Sequence, residues 1–519
     1  MTVTDRAISY IQYFKDQVEE AMENKAGLLQ CITSARGGQA SLNGAEFMND
    51  TFINTMPTGE EVGMYFAVLW SRDGIKTIRG DLFGGGRIRV EGLSETQTSR
   101  RNETNCATFF RRAAETLGRN LPPNATLNEM LPVAVVASLP VCSTSVKSAM
   151  VYAPDHPING LDITTVLDLA LEDCLLPVKC VGVCNDAVAS LLASWYQRNT
   201  LDQNSNHNVN INHHANADAN GKHTRENQQR HEGQQRHEGQ QRHEGQQRHE
   251  EQQRHEGQRR HEEQQRHEGQ RRHEGQRRRS QHEKERTRGA DIAVLIDPGF
   301  NVSLKDPNPG SRGCVINTEI GRYSIEDRYL TDLDYIDAYE TNPKSASATL
   351  EHMIVHIGEV FRLAIRFVWQ ESSPISVRRR GVISNKEALR IASETGNFEY
   401  SRSFCSKRLH WETTKTDRKL LQSLALGAAQ RSAAYFSCTL VALLSYLQMD
   451  CQLNRQIYIT VDSSWDGWWL NFVNHLLSRT SYFRQSVGVG KLRLHQVTDS
   501  VRKGAAVFAA RREIFQEKC

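Results

Sequence analysis

Several things are scarce in this sequence. Apolar residues make up 38% of the 519 positions and aromatic residues only 7%. No apolar run approaches the roughly 18–20 residues a membrane helix needs. Cys438–Leu447, among the longer runs, still carries Thr439, Ser445 and Tyr446, so no membrane span is expected. The 11 cysteines are odd in number and scattered, with no C-x-x-C pair. Most lie in apolar stretches such as Val181–Cys184. They read as small core residues of a reduced, intracellular protein. An excess of charge is also missing. Lys and Arg number 64 against 61 Asp and Glu, a formal net charge of +3, which excludes a strongly basic nucleic-acid binder on global charge. Residues 1–30 have the spacing of an amphipathic helix, with Ile8, Ile11, Val18 and Met22 on one face. They lack the uninterrupted apolar core of a signal peptide. A cytoplasmic location is expected, with the nucleus as the alternative.

One segment accounts for the low apolar content. Residues 203–289 are almost free of large apolar side chains, and the hexamer R-H-E-G-Q-Q repeats within them, placing His231, His237, His243, His249, His255, His261, His267 and His273 six residues apart. Such a composition has nothing to bury and predicts disorder. The simplest reading is an expanded repeat without a role of its own. The alternatives are metal adsorption by its imidazoles and, at Arg277-Arg278-Arg279 with Lys284, Arg286 and Arg288, a nuclear import signal. A helical segment, Ala187–Tyr196, precedes the tract and an apolar strand, Ile292–Ile296, follows it. A long insert is tolerated at an exposed connection between finished elements, so the two flanks are expected to be neighbours in one domain. The rest of the chain is long enough for two lobes with cores of their own.

Outside the insert, short apolar runs alternate with helical periodicity. Strands are expected at Tyr65–Trp70, Lys76–Ile78, Gly86–Val90, Pro132–Leu139, Lys179–Cys184, Ile292–Ile296 and Gln456–Val461, and long helices at Ile163–Cys174, Ala348–Trp369 and Leu420–Leu447. This is the pattern of an α/β protein with mixed sheets.

Seven of these runs, in order, resemble the hexokinase family of the actin/sugar-kinase fold. They are MPTGEEVGMYFAVLW (Met56–Trp70), VAVVASLP (Val133–Pro140), VGVCNDAVASLLASWY (Val181–Tyr196), CVINTEIG (Cys314–Gly321), HIGEVFRLAI (His356–Ile365), TVDSSW (Thr460–Trp465) and VRKGAAVFAA (Val501–Ala510). The resemblance spans about residues 45–200 and 290–519. It implies a two-lobed actin-like ATPase/hexokinase fold with mixed sheets and a long disordered insertion. The implied division is an N-terminal helical segment at 1–45, an N-terminal lobe at 46–200, the insertion at 201–289 and a C-terminal lobe at 290–519.

On the sugar side, the resemblance carries the general base onto Asp186. It carries sugar-hydroxyl contacts onto Asn185, Asn301, Glu319 and Glu351, and the serine of the Ser-Phe-Pro turn onto Ser138. Holding a polyol needs polar groups that donate and accept in pairs, and activating one hydroxyl needs a carboxylate within hydrogen-bond reach. Each of these residues has a plainer reading beside it. Asn185 and Asp186 are good caps for the helix that follows, Glu319 could be a solvated strand-end carboxylate, and Glu351 an ordinary helix glutamate. One element departs from the family. Its Thr-Lys pair would lie near Ala153–Asn159, where this chain reads APDHPINGL without lysine; Asp155, His156 and Asn159 are the nearest polar residues.

On the phosphate side, the family brings bare glycine backbone against the phosphates. Its D-x-G-G-T-N-x-R hairpin aligns with Leu69, Trp70, Ser71, Arg72, Asp73, Gly74, Ile75 and Lys76. Leu69 replaces the metal-side aspartate, and side chains replace both glycines. Gly84-Gly85-Gly86 reads as a hairpin turn. The second hairpin, G-T-G-x-N, becomes Asp297-Pro298-Gly299-Phe300-Asn301. Nucleotide contacts implied at Gly299, Asp462, Lys503, Gly504 and Ala505 stand beside the reading of Lys-Gly-Ala-Ala as a plain helix start. No metal-ligating set is assigned.

Sugar-side polar residues thus survive where phosphate-side glycines do not. The function expected is a regulatory hexokinase-like protein that binds or senses a hexose such as glucose. In it, ATP-dependent phosphorylation is lost or strongly impaired, with protein partners in carbon-source regulation and no cofactor. The alternative is a divergent active sugar kinase that uses Mg-ATP to phosphorylate the 6-hydroxyl of a hexose, with Asp186 as base. A scaffold without ligand is the third reading. No direct nucleic-acid partner is expected.

Overall fold

A computed structural model describes residues 1–23, 25–36, 48–71, 74–97, 106–123, 125, 130–139, 141–151, 159–197, 292–296, 299–306, 314–343, 347–447, 457–463, 465, 467–479, 492–497 and 499–511. The expectations for the repeat tract, its basic run, residues 153–158, Arg72, Asp73, Asp297 and Pro298 lie outside these residues, while Asn159 is described and exposed.

The strands are β1 (Asn49–Asp50), β2 (Val62–Ser71), β3 (Gly74–Phe83), β4 (Ile88–Gln97), β5 (Leu131–Ala137), β6 (Val141–Ser145), β7 (Ser148–Val151), β8 (Val178–Asn185), β9 (Ile292–Ile296), β10 (Phe300–Lys305), β11 (Val315–Asn317), β12 (Ile457–Ser463) and β13 (Leu492–Val497). The principal helices are α1 (Val3–Glu23), α2 (Lys25–Arg36), α3 (Cys106–Asn120), α4 (Ile163–Asp173), α5 (Asp186–Tyr196), α6 (Asp332–Thr341), α7 (Leu350–Val355), α8 (Ile357–Trp369), α9 (Asn385–Ala392), α10 (Glu399–Phe404), α11 (Lys415–Tyr446), α12 (Gly467–Arg479) and α13 (Ser500–Ala510).

The two main sheets are variations on one plan. The first runs β4-β3-β2-β5-β8 and the second β1-β11-β10-β9-β12-β13. In each, an antiparallel hairpin (β2–β3, β9–β10) is extended by a further antiparallel strand, while two later strands add in parallel on the other side. Both hairpin turns therefore fall at equivalent places, beside the ends of the parallel strands. Ligands in such sheets collect at the carboxyl ends of parallel strands.

Side-chain alternation explains how the first sheet is covered on both faces. Phe66, Val68 and Trp70 of β2 join the cluster formed with α3 and α4, whereas Ala67 and Leu69 face the cluster formed with α5 and α13. β5 is buried through Pro132–Ala137 because helices cover both of its faces. The second sheet packs with α1, α2, α7, α8 and α11 into the largest core.

Helix α5 begins at the end of β8, packs against β9 and β10, and so belongs to the interior of both halves. Helix α13 crosses it closely. A Cβ on Gly504 would stand 1.7 Å from the carbonyl oxygen of Ala189, and one on Gly80 would stand 2.2 Å from the Ala506 methyl group. Glycine and alanine are required there because larger side chains have no space.

Two expectations change in detail. Residues 1–36 form two helices where one was expected over 1–30. The helix expected across Ala348–Trp369 divides at His356, whose backbone (φ −88°, ψ 37°) ends α7 and caps α8. The packing supplies a reason: a Cβ on Gly358 would lie 2.4 Å from the Ile383 carbonyl oxygen, so α8 must start against that backbone. Gly84, Gly85 and Gly86 form the β3–β4 turn with φ of 70°, 57° and 74°, a conformation that glycine adopts without strain. Among the described residues no helix is long and apolar enough to cross a membrane.

Candidate functional site

The carboxyl end of β8 meets β10 and β11 through buried amides. Asn185 closes β8 and caps α5, its Oδ1 accepting from the Ala187 N–H at 2.9 Å. The capping reading is therefore correct, but it uses only part of the side chain. Asn185 Nδ2 also reaches the Ala137 carbonyl at 3.3 Å and Glu319 Oε1 at 3.4 Å. From β10, Asn301 Nδ2 approaches Asn185 Oδ1 at 3.0 Å, Asn317 Oδ1 at 2.9 Å and Glu319 Oε1 at 3.4 Å. An amide has two N–H bonds, so these three acceptors share two donors. Asn301 Oδ1 accepts from the Val302 N–H at 2.7 Å, and Asn317 Nδ2 donates to Glu319 Oε1 at 2.8 Å. All four side chains are buried. They satisfy one another, as buried polar groups must.

Glu319 holds its place under strain. Its backbone is left-handed, φ 51° and ψ 26°, which costs a non-glycine residue about 1–3 kcal/mol. The turn that follows is closely packed, since a Cβ on Gly321 would lie 2.0 Å from the Phe300 carbonyl oxygen. Burial pushes the Glu319 carboxyl above its usual range, with Glu351 adding to the rise and Asn317, Arg322 and Asn301 opposing it. Glu351, on α7, faces the same corner: its Oε2 lies 3.5 Å from the Cβ positions that Gly299 and Gly321 lack.

Asp186 opens α5. Its Oδ1 accepts from the Ala187 N–H at 2.8 Å, and the Ser138 hydroxyl donates to the carboxylate. Ser138 is fixed in turn by its own N–H, which donates to the Trp70 carbonyl at 2.8 Å. Burial, reinforced by the nearby Glu319 charge, pushes the Asp186 carboxyl up to about 7 despite the Ser138 hydrogen bond. A carboxylate poised near neutrality suits general-base work. Asp186, Ser138, Asn185, Asn301, Glu319, Glu351 and Gly299 thus share one region. Asn317 belongs with them and was not singled out by sequence. Its signal was present: a polar residue ending the apolar run Val315–Ile316, two positions before Glu319.

The opposite side differs. Leu69 packs into the cluster that includes Ala67, Ala134 and Val136, where the resemblance placed an acid. It offers no oxygen to a magnesium ion, which needs carboxylate or water ligands. Asp462 stands on β12 opposite Leu295 and Val497; its side chain lies outside the described residues. Lys503, Gly504 and Ala505 are in the first turns of α13, with Gly504 and Ala505 buried. Contact with α5 alone accounts for the glycine.

Comparison with known proteins gives the family of the chain. A family model described as Hexokinase matches residues 295–511, and a second with the same description matches residues 2–196, together most of the chain. The chain belongs to the hexokinase family. Among curated relatives, a hexokinase of Plasmodium falciparum is 24% identical over 173 residues, 29% of this chain and 35% of that protein. A hexokinase of Toxoplasma gondii is 24% identical over 179 residues, 29% of this chain and 38% of that protein. The aligned stretch thus spans little more than a third of these relatives' length. Among solved structures, a hexokinase superposes with a TM-score of 0.67 at 17% identity, covering 98% of this chain and 99% of the other. The hexokinase from Schistosoma mansoni complexed with glucose gives 0.66 at 14% identity, covering 98% and 100%. At these identities the likeness concerns the fold, which is the two-lobed hexokinase fold. Hexokinases use Mg-ATP.

Proposed function

We propose that this chain is a hexose-binding member of the hexokinase family with a regulatory role, in which ATP-dependent phosphorylation is lost or strongly impaired. The observation that carries this reading is the contrast between the Asn185–Asn301–Asn317–Glu319 network, whose groups converge, and Leu69, half-buried against the core at the position that the resemblance gives to the metal-side acid. A hexose presents hydroxyls that both donate and accept. It can replace the mutual contacts of the amides without leaving any buried group unpaired. The glucose bound to the Schistosoma mansoni neighbour supports glucose as the first hexose to test. Losing one positioned transition-state donor commonly costs about 10²–10³-fold in rate, and here the changes affect the metal-side acid and both glycine hairpins. Sugar binding would still favour the lobe arrangement that it fits best, giving a signal without chemistry.

A second reading has its own observation. Asp186, with its carboxyl near neutrality and oriented by Ser138, is arranged as a working base would be. A divergent active kinase, using Mg-ATP and transferring the γ-phosphoryl group to the 6-hydroxyl, would use it directly. A coupled ADP-release assay over a panel of hexoses separates the two. The regulatory reading expects no sugar-dependent release above background. Turnover at ordinary kinase rates that disappears in Asp186→Ala establishes the alternative.

A further inference from the structure

Among the described residues, one cluster of ligand-type side chains stands outside the sugar-side network. Asp337 of α6, His352 of α7 and His356, which separates α7 from α8, each present a ligand atom, and these atoms lie within 4.8 Å of one another. His356 Nδ1 is 2.5 Å from Asp337 Oδ2. The His352 and His356 rings meet edge to face, with centroids 4.7 Å apart. His352 Nδ1 is engaged by Thr349, 2.8 Å from its hydroxyl and 3.1 Å from its N–H. The other ring nitrogen, Nε2, is buried and has no hydrogen-bond partner. A buried polar atom without a partner is costly and calls for an explanation.

We propose that Asp337, His352 and His356 form a binding site for a borderline divalent transition-metal ion of the zinc class. Two imidazoles and a carboxylate are the donor set that such ions prefer over hard magnesium or calcium. Bonds of about 2.0–2.2 Å in a tetrahedral site put ligand atoms roughly 3.4 Å apart, so the His356–Asp337 pair, now 2.5 Å apart, opens around the ion while the wider separations, up to 4.8 Å, close. The ion takes the place of the proton between His356 Nδ1 and Asp337 Oδ2, and that proton is released on binding. His352 Nδ1 accepts from the Thr349 N–H, which places the ring proton on Nε2; metal binding moves that proton to Nδ1, which then donates to the Thr349 hydroxyl 2.8 Å away, and frees the Nε2 lone pair for the ion. Arg380 Nη1 holds the other carboxylate oxygen, Oδ1, at 2.9 Å. It orients Asp337 but opposes a second cation, which favours an ion with a strong preference for imidazole. Three protein ligands leave a fourth position for water. The ion would join α6 to both sides of the break at His356, next to Glu351 on α7.

The test uses the full chain, stripped of metal with a chelator and titrated with zinc chloride against a competing chelator. The repeat histidines are present in every variant, so their binding cancels in the comparison. His352→Gln is expected to weaken one zinc site at least tenfold and to remove most of the zinc-induced rise in Tm that linkage gives the wild type. Magnesium chloride is expected to give no variant-sensitive shift. His356→Gln, measured in the same way, decides if the first variant does not fold. Zinc affinity and Tm response unchanged from the wild type in the folded variant, or no zinc response in the wild type, overturn the proposal.

Discussion

The side-chain amide of Asn301 reaches Oδ1 of Asn185 at 3.0 Å, joining the second sheet to the last strand of the first. Each of these amides has a second task, since Asn185 caps α5 and Asn301 accepts from the Val302 N–H. Removing either therefore has two effects. Asn301→Ala should leave Asn185 and Asn317 short of a partner, at about 1–3 kcal/mol for a buried polar group. It should also abolish any stabilisation by glucose. Thermal unfolding with and without glucose measures both, and a variant that keeps the full glucose shift contradicts the assignment.

Asp186 gives stability a pH signature. Its carboxyl is raised to about 7 in the fold and returns to about 3.9 when unfolded. Below pH 4 both states hold the proton and there is no penalty. As the pH rises from about 4 to 7, the unfolded chain ionises first and the native state loses stability, on the order of 4 kcal/mol in all. Above 7 the loss is complete. Asp186→Asn removes this term. The variant should therefore gain on the wild type across that interval and hold its advantage above it, as chemical denaturation at a series of pH values would reveal. A difference that stays constant from pH 4 to 7 rules out the raised carboxyl.

Ser138 donates the hydrogen bond that restrains this rise. Ser138→Ala should shift the midpoint of the same pH profile upward, because the ionised form loses a donor. A downward shift shows that the hydroxyl does not serve Asp186.

Much of this arrangement is legible in the sequence. The alternation of Phe66, Ala67, Val68, Leu69 and Trp70 sorts their side chains between two faces, and the polar pair Asn185-Asp186 ends an apolar strand before a helix. These signals are local, and local periodicity follows from backbone geometry. Asn317 was missed because its pairing with Asn301 is set by how β10 lies against β11. The polar end of an apolar run marks the position but does not say which amide it meets. The break at His356 escaped for a similar reason, since the apolar rhythm runs on through Ala348–Trp369 and the obstacle is the backbone at Ile383. The Asp337–His352–His356 cluster depends on how α6 lies against α7, which no spacing rule contains.

Gly504 tests the packing against α5, the helix that Asp186 begins. Gly504→Ala brings a methyl group into the Ala189 carbonyl on α5. A loss of about 1–3 kcal/mol is expected for overpacking, read as a lower denaturation midpoint with an unchanged m-value. A neutral result shows that α13 has room to withdraw from α5.

The most direct test of the central claim is the Tm of the full chain as glucose and, separately, Mg-ATP are titrated. An intact sugar network beside a phosphate side that lacks its metal-side acid predicts a saturable rise with glucose and none with Mg-ATP. A rise with Mg-ATP, or none with glucose, contradicts it.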